Sequence, residues 1–523
     1  MNLHLTAMDA AIFGVYILGV IALGIYASRQ NKKTRRDYFL AGDKMSWWMI
    51  GGSIIAANIS SHHLVGAMGM AYNRGFVAIA MEWGAILLGF NALLWIFLPF
   101  YIRNGFYTVP EFLERRFGSA ARSTYAGLIL LTYVLVEISA VLYLGALSLH
   151  SLFGIDVMTC VVILAGLTGV YTITGGLRAV IWTEMLQLGV LVLGGIILTY
   201  VTVSKAGGIS AVLETSKDWD LILPHTDADF PWTMYLGGLV CISVFYCATN
   251  QFLVQRVLAA KNEWHARMGV VFGDYLKFLV PLIITVPALV APKLFPNLEK
   301  PDMLFSVLVA ELLPPGLVGL VMAGLIAAVM SHLSGAINSC TSILTNDIYL
   351  PYIKKNATDE EAVRFGKISG AVVIVIGVGC TALFLTNSEK PVFLYLMNAY
   401  GWFTPGIAVM FLLGILWKRT TNAGALAAGI LTIPMSLVLD HYFKEMPFFN
   451  RTGIVFWTCM AVCVIVSLLT KPKPEAELAG LIWNKESLSL PEDQRAMNRG
   501  IRNPAFWWAI ITAVVLFFYI RFA

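Results

Sequence analysis

The chain has 523 residues, 58% of them hydrophobic and 13% charged, with a mean hydropathy of +0.75. A soluble globular chain carries about 25% charged residues, so the soluble class is excluded. The net charge of +5 is carried mostly in loops, where it reads as an orientation signal and not as a nucleic-acid footprint.

A membrane crossing needs about 20 mainly apolar residues. The sequence predicts fourteen such spans: 8–27, 47–72, 77–101, 124–149, 156–174, 178–203, 232–257, 267–292, 313–348, 366–386, 391–416, 420–440, 453–470 and 505–521. The first lacks the basic start of a secretory signal, so no cleavable leader is expected. The ninth exceeds one crossing and is expected to tilt or run into the interface.

Charge sets the expected topology. The loop after the first span holds Arg29, Lys32, Lys33, Arg35, Arg36 and Lys44, and alternate loops repeat the excess at Arg103, Arg115 and Arg116, then Lys354, Lys355, Arg364 and Lys367. The positive-inside rule makes these loops cytoplasmic. Fourteen spans then leave both termini outside.

In the second span, GGSIIAANISSHHLVG (51–66), the apolar run gives way to Asn58, Ser60, Ser61, His62 and His63. An unpaired polar group in hydrocarbon costs several kcal/mol, so such a break persists only where it lines a cavity or a site. The seventh span has a matching polar patch, Tyr246 to Gln251. Interrupted helices at corresponding places in two halves point to a midplane site between inverted repeats; two unrelated polar kinks are the alternative.

Charges at depth sharpen this. Glu82 and Lys277 lie inside apolar spans next to the two breaks and form an economical pair, as solute ligands or as a structural bridge. Asp274, one turn before Lys277, is read as tuning it or as independent of it. Glu137 and Glu184 are further intramembrane acids, each a cation or proton site or a satisfied helix contact. The ninth span crowds Ser331, His332, Ser334, Asn338, Ser339, Thr341 and Ser342 together, as packing glue or as oxygen donors for a desolvated cation. Seven cysteines show no zinc-type spacing; Cys459 and Cys463 are read as packing.

Many motifs in order resemble one family. DYFLAG (37–42), AANIS (56–60), YTVPEFLERRFG (107–118), YTITGGL (171–177), AVIWTEMLQ (179–187), NQFLVQRVLAAK (250–261), NSCTSILTNDIY (338–349) and FLLGILWKRTT (411–421) are similar to the sodium:solute symporter family, within it to the sodium–sugar cotransporter branch. The resemblance implies an all-α integral membrane protein of 14 transmembrane helices around a five-plus-five inverted-repeat (LeuT-type) core, working by alternating access in the cell membrane. The expected division is a first span and basic loop (1–46), first repeat (47–203), extracellular loop (204–231), second repeat (232–416), peripheral spans (417–470), cytoplasmic linker (471–504) and last span (505–523).

By the same resemblance, Asn58, His63, Glu82, Tyr246 and Lys277 are the expected solute ligands, with Tyr246 stacking on a sugar ring. Ser243 and Met397 stand where sugar-binding relatives carry hydrogen-bonding side chains; Met397 cannot make that bond, and Asn398 beside it is the candidate instead. The implied sodium site takes oxygens of Ala56, Ile59, Ala328, Ser331 and the next residue, normally a second serine and here His332. An imidazole removes one hard-oxygen ligand. Three consequences stay open: the ring turns away and sodium binds, a proton replaces sodium, or the carrier is uncoupled. Glu184, in Trp182-Thr183-Glu184, replaces the aspartate of a second cation site found in some relatives.

The expected activity is import of a sugar or polyol with sodium as coupling ion and no other cofactor, in a lipid bilayer, with a monomer sufficient and no nucleic-acid partner. Rival solutes are an inositol, sialic acid, proline or pantothenate. Rival classes are a transporter-fold sensor and a membrane enzyme using His62, His63 or His332 as metal ligands; no HExxH motif is present, and adjacent histidines point about 100° apart on a helix.

Overall fold

A backbone without water must satisfy its own hydrogen bonds, and helices do so within one segment. In a computed structural model of the chain, the regular elements among the described residues are all helices, with two isolated β-bridges. Residues 6–29, 34–215, 219–298, 300–385 and 392–523 are described, apart from the side chains at 151, 152, 384, 385 and 392–398.

Among these residues, twelve helices are long and apolar enough to cross a membrane. The sequence predicts fourteen spans, and the difference has a physical source: helices His62–Arg103 and Val157–Ala206 each run through a glycine turn. Gly75 (φ 72°) interrupts the first and Gly176 (φ 58°) the second. A straight 50-residue helix would be about 75 Å long, more than twice a hydrocarbon core. The chain instead doubles back at Gly176: a Cβ on Gly24 would lie 2.7 Å from Tyr171 and 3.4 Å from Thr183, one on each side of the turn. Only glycine adopts that conformation without strain.

Burial separates centre from rim. Leu317–Ile353 is buried over 89% of its most apolar stretch and Gly238–Leu258 over 83%, against 22% for both Ala7–Arg29 and Pro504–Arg521. The polar helices expected to hold the site are therefore the interior ones, and the uniformly apolar ones face outward.

The two interrupted helices lie antiparallel in that interior. The start of the first is pinned to the end of the second by Met45 N–H donating to Ala259 O and Lys261 N–H donating to Met45 O, both at 3.1 Å. Helix Glu263–Leu294 approaches the first at Gly51, where a Cβ would come within 2.5 Å of Gly269 O. That small-residue contact carries Lys277 into the break.

Candidate solute and cation site

Helix Trp47–Asn58 ends at Ile59, which is extended (φ −81°, ψ 118°), and resumes through a π turn, His62–Ala67. The second interrupted helix runs Gly238–Val244, a π turn Phe245–Thr249, then extended Asn250 (φ −87°, ψ 121°) and Gln251–Leu258. Ile59 and Asn250 share one extended conformation, with the π turn after it in the first break and before it in the second. Each frees carbonyls that need partners. At the second, tyrosines supply them: Tyr101 donates to Ala248 O at 2.9 Å and Tyr125 to Thr249 O at 2.6 Å. At the first, Ser331 Oγ donates to Ala56 O at 2.7 Å and His332 Nδ1 to Ala57 O at 2.8 Å.

Beside the first break lies a cavity of about 100 Å³, lined by Asn58, His63, Glu82, Ser243, Tyr246 and Lys277 together with His62, Cys247, Tyr400 and an apolar wall that includes Phe449. Space of that size holds several water molecules. Lys277 is ion-paired with Glu82 and donates to Asn58 Oδ1. His63 has a defined role: its Nδ1 accepts from Ser60 N–H at 3.3 Å, so its Nε2–H donates to Glu82 Oε1 at 3.2 Å. A neutral ring thus caps the break and braces the carboxylate. The cavity wall carries one negative and one positive side chain, each satisfied by the other.

Next to the cavity, Ser331 Oγ contacts Ala56 O and also Ala328 O, at 3.1 Å. These hard oxygens converge on one point at the break. Neither ring nitrogen of His332 is turned to them, because Nδ1 is spent on Ala57 O and Nε2 faces Glu137 Oε2 at 2.7 Å. Glu137 also accepts from Tyr400. Glu184, fully buried, is ion-paired with Arg256 and accepts from Ser53, so a guanidinium already supplies its positive charge.

A sodium:solute symporter family model matches residues 38–432, well over half the chain. The chain belongs to the sodium:solute symporter family. It is 34% identical over 499 residues to a sodium/glucose cotransporter of Vibrio parahaemolyticus, covering 89% of this chain and 91% of that one. It is 33% identical over 560 residues to a human sodium/myo-inositol cotransporter, covering 94% and 78%. In fold it is similar to a Na+-coupled sialic acid symporter solved in a substrate-bound outward-open state, with TM-score 0.82 at 22% identity over 90% of this chain and 99% of that one. Membership in this symporter family makes the chain a multi-pass membrane transporter and not an enzyme.

Asn58, His63, Glu82, Ser243, Tyr246 and Lys277 come together; the side chains of Met397 and Asn398 lie outside the described residues. Asp274 is fully buried and neither carboxylate oxygen has a hydrogen-bond partner among the described residues. Tyr400, Arg256 and Ser53 escaped the sequence reading. The first is one aromatic among many in an apolar helix, and Arg256 sits near a helix end, where an arginine reads as a loop charge. A larger cleft, about 510 Å³, lies away from both breaks, beside the Arg74–Asp227 ion pair. Burial pushes the Asp227 carboxyl up, yet donation from Phe230 N–H, Asp229 N–H and Arg74 outweighs it and holds the group below its ordinary range. That cleft brings no second polar set to the broken helices.

Proposed function

We propose that this chain imports an uncharged sugar or related polyol across the cell membrane, coupled to sodium, by alternating access at the cavity between the broken helices. The observation that carries this is the charge balance of the wall: Lys277 answers Glu82, and His63 is fixed neutral by Ser60 N–H. Asn58, Glu82, His63, Ser243 and Lys277 offer donors and acceptors in number, as a polyhydroxylated solute requires. Tyr246 offers a ring face. A carboxylate-bearing solute would need a cation the wall does not have to spare. The named solutes of the glucose and myo-inositol relatives are uncharged, which supports the same reading.

Sodium is assigned to the oxygens of Ala56, Ile59, Ala328 and Ser331, with His332 beside the site and bonded away from it. Glu184 is left out of the cation sites because Arg256 occupies its charge. Fourteen crossings, ten of them in two inverted repeats of five, account for the glycine turns at 75 and 176 and for the antiparallel breaks, and the basic loops favour both termini outside. Equilibrium binding of labelled glucose, myo-inositol and sialic acid, with and without sodium, tests the reading. A neutral member binds more tightly in sodium and sialic acid does not bind; the reverse preference overturns the charge argument.

A further inference from the structure

We infer that Tyr400, Glu137 and His332 are the link through which the cation site and the solute cavity sense each other. The inference rests on the assignment of both sites proposed above. Tyr400 lines the cavity, its ring perpendicular to that of Tyr246 with centroids 6.2 Å apart. Its hydroxyl donates to Glu137, Glu137 Oε2 meets His332 Nε2 at 2.7 Å, and His332 Nδ1 donates to Ala57 O at 2.8 Å. Ala57 adjoins Ala56, whose carbonyl takes the Ser331 hydroxyl.

Adjacent residues 331 and 332 of helix Leu317–Ile343 therefore grip adjacent carbonyls 56 and 57 of the first broken helix. A cation drawn to Ala56 O and Ser331 Oγ displaces that double grip as a unit, and His332 passes the displacement to Glu137. At the far end, Tyr400 has one hydroxyl proton and two claimants for it: Glu137 or a hydroxyl of the bound solute. A solute that takes the bond releases Glu137. Exposure is 1% at Glu137 and 0% at His332, so water does not replace a bond given up at either of them. Such an element, with discrete arrangements biased from both ends, couples the sites reciprocally.

Neighbouring polar groups do not short-circuit the chain. The His62 ring stands 5.9 Å from that of His332, in an edge contact. Glu184 is committed to Arg256, and Tyr133 to Asn250. Phe252 covers the remaining face of His332 at 4.7 Å.

Three buried polar groups that only satisfy one another would give the same static picture, so the test must read transmission and not stability. Backbone hydrogen exchange of the full chain, resolved by peptide mass spectrometry, is compared in sodium and in choline for the wild type, Tyr400→Phe and Glu137→Gln. In the wild type, sodium slows exchange at residues 56–60 and also at 245–249 and 399–403, by about fivefold or more, the lower end of ordinary site-to-site coupling. In both variants the slowing at 56–60 persists and that at 245–249 and 399–403 is lost. Variants that keep wild-type slowing in the cavity wall overturn the link, as does a wild type in which sodium protects 56–60 alone. A wild type with no sodium protection at 56–60 overturns the link too, and it is recognisable as failure of the sodium assignment itself.

Discussion

Lys277 reaches from helix Glu263–Leu294 into the first break, ion-paired with Glu82 while it donates to Asn58. Desolvating two charges is justified only when each has the other and further hydrogen bonds besides. Here His63 and Asn58 supply those bonds. A solute hydroxyl that competes for them exchanges one satisfied arrangement for another, which allows binding and release without stranding a charge.

Breaking the pair from one side should therefore be costly. Removing one partner of a buried pair typically costs about 3–5 kcal/mol, and with the Glu82 side chain 16% exposed the low end applies. Glu82→Gln and Lys277→Met each lower the melting temperature of the purified carrier and abolish uptake. The double variant regains most of the lost stability and none of the uptake. Full stability in either single variant would show that the pair is not desolvated.

Ser331→Ala deletes the hydroxyl that meets Ala56 O and Ala328 O. Loss of one oxygen ligand is expected to weaken sodium binding tenfold or more, tenfold being about 1.4 kcal/mol, with solute affinity recovered at saturating sodium. Ser334→Ala is the control, since that hydroxyl bonds back to Ser331 O at 2.9 Å. Sodium activation curves for the two variants should separate clearly; coincident curves would remove Ser331 from the cation site.

Gly51→Ala tests how the site is assembled. The added methyl meets Gly269 O, a backbone atom that cannot swing aside, and overpacking of this kind costs about 1–3 kcal/mol. The same substitution at Gly14, where a Cβ meets nothing within 4 Å, should be neutral or mildly stabilising. Thermal unfolding of both variants checks the contrast, and the Gly51 variant should also bind solute more weakly because Lys277 is pushed back.

Much of this was legible in the chain itself. Asn58 and Ser60 inside an apolar run mark a break because hydrocarbon tolerates few polar groups, and Glu82 and Lys277 stand out for the same reason. Which buried groups meet across the bundle was not legible. Nothing local says that Glu137 pairs with His332, 195 residues away, or that Arg256 takes Glu184. Those pairings depend on how helices are rotated against each other, and near-uniform apolar composition leaves little periodicity to report rotation. The turns at Gly75 and Gly176 were legible, since the predicted spans stop at 72 and 174 and resume at 77 and 178.

Sodium-driven import of a neutral polyol is read out by uptake into proteoliposomes. One monovalent cation moving down 100 mV supplies about 2.3 kcal/mol, roughly a 50-fold solute accumulation at about 1.4 kcal/mol per tenfold. Labelled glucose and myo-inositol are offered under an inward sodium gradient, an inward proton gradient, or neither, with the interior held negative. At least one of them is expected to accumulate well above its external concentration in the sodium arm alone. Uptake of neither solute, or uptake that proceeds equally in all arms without accumulation, would contradict it.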